Sequence, residues 1–443
     1  MNFNKILTLF VAFSISQNSF SQALVSYRDK IETAKTELKN SISAFSTCIV
    51  KSDINKCVEE LAKNTANDEY KKYIVGGILY EIDPDQSLKF HKEAYLANTL
   101  EQNFILEYAI ELHRNGQYQE AAKLYELYSQ KVPNDIRVYV WLTDCYINTN
   151  EIQKSIQNWQ KTNHSENHIS IDNAVFTIYG KTTQIKTRSN LKSEIEKGKI
   201  SNFYPLLFLD INWESDWWNT TTQKYFLNED FQLAQNTLGE KNDDYKILKS
   251  YLEIKKLQEN GEIDQIKNIL LENKIILENN PIPVFGEISS DLLRICFADN
   301  LLTESEFYTK RGAELLALAK STKDKDLLNI YAYLQATVDG KVMPEIDKLG
   351  WKEFKDERFT KSYFIGKADA IKYDDTELRE AMLDFPNSSY LFWLKAKCAK
   401  MENKPVKNDL IEAIKREFKT FGTDQNKSSY RLKSYMGTLA SEI

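Results

Sequence analysis

The sequence predicts an all-α fold, a curved solenoid of helical repeats interrupted by an aromatic-rich, non-repeat helical insert. Two observations predict it. The 443 residues include only 14 Gly and 8 Pro, and such scarcity of helix breakers favours helices joined by short connections. In addition, residues 105–159 repeat a pattern of small, bulky and turn-forming residues at an offset of 34 positions. Each helical pair exposes an apolar stripe that a neighbouring pair must cover, so such pairs are expected to stack.

Six pairs of positions carry the repeat, and within each pair the two residues are of similar type. They are Ala109/Thr143, Leu112/Tyr146, Gly116/Asn150, Tyr118/Ile152, Ala121/Ser155 and Tyr125/Trp159. Thirty-four residues is the period of the tetratricopeptide repeat, and NGQYQEAAKLYELYSQKVPND (115–135) resembles that family. A third, degenerate copy is predicted at about 68–99, with Ser87 where the two helices cross and His91 one turn later.

Five segments follow from these patterns. Residues 1–21 are predicted to be a signal peptide, 22–67 a helical hairpin and 68–166 the repeats. Residues 167–240 are predicted to form the aromatic-rich insert, and 241–443 a second helical-repeat array. Beyond about residue 162 the resemblance ends, and these segments depend on helical periodicity alone.

The N-terminus has the pattern of an export signal. Lys5 precedes an apolar run over 6–15, and small residues at 19–21 suit cleavage before Gln22. No Cys lies near that site to accept a lipid, so we expect a periplasmic or secreted protein. An uncleaved anchor is the alternative, although ten apolar residues are too few for a bilayer span. No later run approaches the roughly 18 residues required, so no transmembrane segment is expected after cleavage.

Two of the five cysteines, Cys48 and Cys57, lie on either side of a turn predicted at 50–53. That position would place them opposite each other on antiparallel helices, where a disulfide is possible in an oxidising compartment. Two buried thiols are the alternative.

The predicted insert contains Trp213, Trp217 and Trp218 within six residues. If exposed, these rings could stack on a sugar or anchor a peptide, because Trp is common in binding hot spots. Trp213 and Trp217 are also spaced as on one helix face, so the cluster could instead be core between two arrays.

Resemblance to the repeat family implies a ligand-binding groove on the first helices of the pairs. Counting along the repeats places nine residues of this chain on that face: Lys72, Tyr80, Leu106, Ile110, His113, Arg114, Arg137, Asp144 and Asn148. The ordered Lys, Asn and Arg set by which some family members hold a C-terminal carboxylate is missing, so the resemblance implies a groove without identifying its ligand.

Little in the sequence points to catalysis, and neither a cofactor nor a metal is predicted. Gly180-Lys181-Thr182 ends like a phosphate-binding loop, but Val175 stands where the motif requires glycine. His164 and His168 flank Glu166, yet the zinc-hydrolase motif needs Glu directly after the first His. Surface histidines are the simpler interpretation.

The net charge of −6 gives no reason to expect nucleic acid as a partner. Residues 395–433 nevertheless carry eleven Lys or Arg against five Asp or Glu. This basic end could meet an anionic partner, or it could be the solvated helix faces of a Lys-rich protein.

We therefore predict a non-catalytic, exported scaffold of the cell envelope that binds a protein partner in assembly, secretion or surface organisation. The alternative function is glycan or peptide binding by the Trp-rich insert.

Overall fold

The computed structural model describes residues 21–51, 54–65, 67–80, 83–162, 174, 239–260, 262–279, 286–340, 343–367, 370–420 and 425–442. Within these ranges the chain forms nineteen helices and no strand, and consecutive helices pack as pairs. The predicted all-α, helical-repeat fold is confirmed. The signal peptide and nearly all of the predicted insert lie outside the described residues.

The first two helices form a hairpin. Helix α1 (Ser21–Lys51) and helix α2 (Ile54–Ala62) contact each other. Helix α1 also packs on the helix that follows α2, Glu69–Leu79. Ile31, Ala34 and Leu38 of α1 are each 1% exposed, as their helical spacing requires. A disulfide joins Cys48 to Cys57 across the turn, with a Cα–Cα distance of 5.7 Å. By closing a short loop it restricts the unfolded chain and so stabilises the hairpin.

Three helical pairs follow, and their second helices begin 34 residues apart, at 84, 118 and 152. The pairs are α3 (Glu69–Leu79) with α4 (Pro84–Ala97), α5 (Gln102–Arg114) with α6 (Tyr118–Lys131), and α7 (Ile136–Asn148) with α8 (Ile152–Gln160).

The predicted crossing positions of these pairs are confirmed as buried contacts. Ser87 and Ser155 donate hydrogen bonds of 2.9 Å to the carbonyls of Gly76 and Thr143, respectively, on the paired helix. Ala121, at the equivalent position of the second pair, is 0% exposed. Only small residues allow two helices to approach so closely. The bulky residues one turn later, His91, Tyr125 and Trp159, are all buried.

Turns between paired helices use residues that tolerate a left-handed backbone. Gly116 has φ 74° and Asn150, its counterpart in the following pair, has φ 64°. Glycine and asparagine adopt this conformation at the lowest cost. Asp83 accepts a hydrogen bond from the Gln86 amide, and Pro84 occupies the first turn of α4, so that helix begins where the sequence predicts.

By internal contacts the chain divides into two units. Among described residues, the second unit comprises residues 239–386. Its helices are α9 (Asp243–Asn260), α10 (Ile263–Asn279), α11 (Gly286–Ala298), α12 (Glu304–Thr322), α13 (Lys325–Asp339), α14 (Pro344–Lys352), α15 (Glu357–Gly366) and α16 (Thr376–Asp384). One apolar cluster runs from Tyr245 to Phe359 and forms its core.

Three ion pairs connect α14 and the residues after it to α16. They are Lys348–Glu377 at 3.0 Å, Lys352–Glu380 at 2.5 Å and Lys355–Asp384 at 2.8 Å. The spacing places lysines on one face of the first segment and carboxylates on the facing side of α16. Because exposed pairs contribute little free energy, their main effect is to set which faces meet.

The first unit includes the last three helices of the chain as well as the N-terminal pairs. These helices are α17 (Ser389–Met401), α18 (Lys407–Thr420) and α19 (Gln425–Ser441). Helix α18 packs on α7, and α19 contacts α8. The segment predicted as one array over 241–443 is therefore divided by contacts near Asn387, and its last part groups with the N-terminal pairs.

Local ion pairs balance much of the basic C-terminal charge. Lys395 pairs with Asp409 at 3.1 Å, and Arg431 reaches the buried carboxylate of Glu417 at 3.0 Å. Lys400 and Lys404 also have carboxylate partners. This pattern favours solvated helix faces over a large free basic surface.

Candidate functional site

Five of the nine predicted groove residues lie inside the first unit and not on an open surface. Tyr80, Leu106, Ile110, His113 and Asp144 are each 8% exposed or less. A partner could not reach these five side chains without opening the array, so their assignment to a binding surface is corrected here. The physical reason is that first helices of successive pairs lie side by side, and the chain itself covers their inner positions.

His113 and Asp144 show how the first helices of the second and third pairs are joined. The Nε2 atom of His113 lies 2.8 Å from Oδ2 of Asp144, and both side chains are 1% exposed. The Asn148 amide donates to Oδ1 of the same carboxylate at 2.7 Å. The three predicted ligand contacts therefore satisfy one another, as buried polar groups must.

Two other parts of the chain contact α7. Helix α18 packs against it, and the indole N–H of Trp141 donates to the carbonyl of Ala174 at 2.9 Å. Both Trp141 and Ala174 are buried. These contacts could not be predicted from the repeat pattern, because Ala174 and α18 both lie outside the repeats.

A second buried cluster, the Glu111 cluster, joins the first and second pairs. Oε1 of Glu111 lies 2.9 Å from the Ser87 hydroxyl, 3.0 Å from Nη1 of Arg114 and 3.8 Å from Nδ1 of His91. Arg114 also donates to the Tyr80 carbonyl at 2.7 Å and stacks 3.4 Å from the centre of the Tyr80 ring. Arg114 is thus held by α3 and α5 together, and its side chain is only 2% exposed.

Burial controls the electrostatics of this cluster. Desolvation raises the pKa of Glu111 to about 7, although the positive charge of Arg114 acts in the opposite direction. Desolvation, together with the nearby positive charge of Arg114, lowers the pKa of His91 to about 3. His91 is therefore a neutral imidazole at physiological pH.

Glu111 was not among the residues identified from the sequence. Its signal was its register: it lies between Ile110 and Leu112, one turn after Glu107, on a helix with few exposed positions. A carboxylate flanked by core residues indicates a buried polar contact, but its partners on α4 could not be inferred from spacing.

The remaining predicted groove residues are half-buried. Lys72 pairs with Glu93 at 2.9 Å, and Arg137 pairs with Asp135 at 2.6 Å and lies 5.7 Å from the centre of the Trp141 ring. Asn148 is also partly accessible. These side chains, on the first helices of the first and third pairs, form the accessible groove residues of this chain.

Cys145, His113 and Asp144 have the arrangement of a nucleophile, a base and an orienting carboxylate. The Cys145 sulfur lies 3.7 Å from Nδ1 of His113, whose other nitrogen faces Asp144. Cys145 is 0% exposed, and burial raises its pKa well above the usual thiol range. Because a thiolate is the reactive form, a buried thiol with a raised pKa is not activated as a nucleophile, and these three side chains contact one another inside the first unit.

The thiol groups provide a direct check on this description. Cys145, Cys296 and Cys398 are buried thiols outside any disulfide, while Cys48 and Cys57 form the disulfide. We expect native protein to show essentially no reaction with a thiol reagent, denatured protein to show three thiols, and denatured, reduced protein to show five. Three reactive thiols in native protein would contradict the burial, and five without reductant would contradict the disulfide.

Two adjacent glycines of α3 provide a matched pair of variants. A Cβ atom on Gly76 would lie 2.8 Å from the His91 ring, whereas one on Gly77 would meet nothing within 4 Å. Gly76→Ala should therefore lower the free energy of unfolding by about 1–3 kcal/mol through overpacking. Gly77→Ala should raise it by up to about 1 kcal/mol, because alanine favours helix. Urea unfolding of both variants would measure this, and equal effects would contradict the close α3–α4 contact.

Other predicted sites fall outside the described residues. Trp213, Trp217 and Trp218, the 180–182 motif and His164 with His168 all lie there, so the glycan- or peptide-binding alternative stays a prediction. Over the part of the chain that is described, no cluster of three or more His, Cys, Asp or Glu could hold a metal ion. None of the described helices combines the length and apolar character that a bilayer span needs.

The helix spacing and the small crossing residues define a helical-repeat protein of tetratricopeptide-like architecture. No family model matches the sequence, and no curated protein matches it. One solved structure that matches is titled "Structure of Naa15/Naa10 bound to HypK-THB", with 13% identity over 92% of this chain and a TM-score of 0.23. The match spans 65% of that chain, which is less than two thirds of its length. At this TM-score the match supports no inference about function.

Proposed function

We propose that this chain is an exported, non-catalytic scaffold that binds a protein or peptide partner of the cell envelope in assembly, secretion or surface organisation. The observation that carries the proposal is the stack of three helical pairs, since such stacks present an extended, ordered surface for partners. His113, Asp144 and Cys145, which could otherwise serve in catalysis, contact one another and are buried. The accessible groove residues, by contrast, carry hydrogen-bond donors that are partly exposed to solvent.

The partner surface proposed here consists of the accessible groove residues Lys72, Arg137 and Asn148. Glu93, Asp135 and Asp144 of the chain itself contact these three side chains, so a partner segment that carries carboxylates or backbone carbonyls would compete for the same donors. Arg137 lies beside Trp141, and an arginine supported by an aromatic ring is typical of interface anchors.

Export is supported by two features. The first is the signal-like pattern of residues 1–21. The second is the Cys48–Cys57 disulfide, because disulfides persist in oxidising compartments and are rare in the cytosol. We propose a periplasmic or secreted location on this basis.

Affinity capture with two matched triple variants tests the function. The chain starting at Gln22 would be immobilised and exposed to envelope extract from its source organism. One variant would carry Lys72→Ala, Arg137→Ala and Asn148→Ala. The other would carry Lys89→Ala, Lys123→Ala and Gln153→Ala, which are exposed positions on the second helices of the same three pairs.

We expect one protein to be captured by the natural chain and by the second variant, but to be reduced at least about tenfold by the first, since hot-spot losses exceed 1.4 kcal/mol. Far-ultraviolet circular dichroism would verify that both variants fold. Equal capture by both variants would contradict the proposed surface, and no capture by any form would contradict the scaffold function.

A further inference from the structure

Ser87 has one hydroxyl hydrogen but two hydrogen-bond neighbours at the same distance. Its Oγ atom lies 2.9 Å from the carbonyl oxygen of Gly76 on α3 and 2.9 Å from Oε1 of Glu111 on α5, while Nδ1 of His91 is farther away, at 3.4 Å. A carbonyl oxygen can only accept, and an ionised carboxylate can only accept. Ser87 can therefore make both bonds at once only if Glu111 carries a proton and donates it to Ser87.

This hydrogen count defines two states of the Glu111 cluster. With Glu111 protonated, a chain of donors runs from Glu111 to Ser87 and on to the Gly76 carbonyl, and it connects α5, α4 and α3. With Glu111 ionised, the Ser87 hydrogen serves either the carboxylate or the Gly76 carbonyl, and one of the two connections is lost. We propose that Glu111 is a proton-dependent link that holds the first two repeat pairs together and weakens when it ionises.

The surroundings of Glu111 favour its neutral form. The side chain is 0% exposed, and its second oxygen, Oε2, has no hydrogen-bond partner among the described residues. The groups that face the carboxyl are Arg114 on its own helix and Ser87 and His91 on α4, while Tyr80, directly after α3, holds Arg114. Nearby titratable groups on α6 and α7, namely Tyr125, Asp144 and Cys145, contact His113 instead. Within the described ranges, the cation that faces the carboxyl is therefore Arg114, which also stacks on the Tyr80 ring.

The sign of the pH effect follows from proton binding. Burial raises the pKa of Glu111 from 4.5 to about 7, so between these values the closed state keeps a proton that the open state has released. Rising pH in this window therefore favours opening, and the effect is complete above about pH 7. His91 acts oppositely, because its pKa falls from 6.5 to about 3 and rising pH in that window favours the closed state. The two effects largely cancel between about pH 4.5 and 6.5 in the natural chain.

Native-state hydrogen exchange of the full chain isolates the contribution of Glu111. The equilibrium constant for local opening of residues 84–114, called the opening constant, would be measured in the natural chain and in Glu111→Gln. Both would be measured at pH 5 and pH 8 and corrected for intrinsic exchange. Glutamine keeps the shape but cannot ionise, so the ratio of the two constants removes His91 from the comparison. We expect this ratio to rise by more than about tenfold between the two pH values. A ratio that does not change would overturn the proposal.

Two serine variants keep the test decisive if Glu111→Gln does not fold. The link gives protonated Glu111 a bond to Ser87 in addition to the bond between Ser87 and Gly76, so Ser87→Ala should favour the ionised form and lower the pH at which opening levels off. Ser155→Ala removes the equivalent crossing bond to Thr143 in the third pair and should leave that pH unchanged. An unchanged or raised value in Ser87→Ala, or an equal displacement in both variants, would also overturn the link.

Discussion

Replacing His113 with leucine should lower the free energy of unfolding of the first unit by about 3–5 kcal/mol. His113 lies 2.8 Å from Asp144, and both side chains are 1% exposed. Leucine would leave the buried carboxylate without this partner, and an unpaired buried charge is far more costly than a lost surface contact. Urea unfolding followed by tryptophan fluorescence would measure the change.

The double variant His113→Leu with Asp144→Leu is the control. It removes the charge together with its partner, and apolar replacement of a whole buried pair is often close to neutral. We expect it to recover at least half of the stability lost in the single variant. A single-variant loss below about 1 kcal/mol would mean that the pair is solvated, which would contradict the closed inner face of α5 and α7.

Ending the chain after Pro386 should destabilise α7 and α8, although these helices lie more than 200 residues earlier in the sequence. The deleted helices α18 and α19 contact α7 and α8. Covering a single Leu or Ile side chain contributes about 1.5–3 kcal/mol, so loss of this packing should raise the opening constant of 136–160 by at least about tenfold. Hydrogen exchange of the truncated chain would detect this.

Adding residues 387–443 as a separate polypeptide provides the control for the truncation. Protection of 136–160 should return as the added segment is titrated, because only packing is restored. The core of the second unit should exchange at the same rate in all samples, since its contacts are internal. Unchanged protection of α7 and α8 after truncation would show that the C-terminal helices do not belong to the first unit.

Much of the fold could be predicted because its signals are local. The 34-residue offset places the starts of α4, α6 and α8, and small residues identify where the helices cross. Likewise, Cys48 and Cys57 flank a turn between two amphipathic helices, and the structure joins them. These features depend on residues within about one repeat of each other.

The candidate site could be predicted only in part. Periodicity identifies which face of a helix carries His113 and Asp144, but it does not show what covers that face. His113 and Asp144 cover each other across the first helices of two pairs, and Ala174 and α18 contact α7 as well. Contacts between residues so distant in sequence leave no periodic signal in either segment. The same limit explains why Glu111 was missed and why the unit boundary near Asn387 was not found.

Site-specific photo-crosslinking in the source organism would test the scaffold function most directly. A photoreactive amino acid would replace Arg137 on α7 or, as the control, Lys123, an exposed position on the second helix of the preceding pair. Illumination should produce a discrete adduct of higher mass from position 137 and none from position 123. No adduct from position 137, or equal adducts from both positions, would contradict partner binding at the first helices of this array.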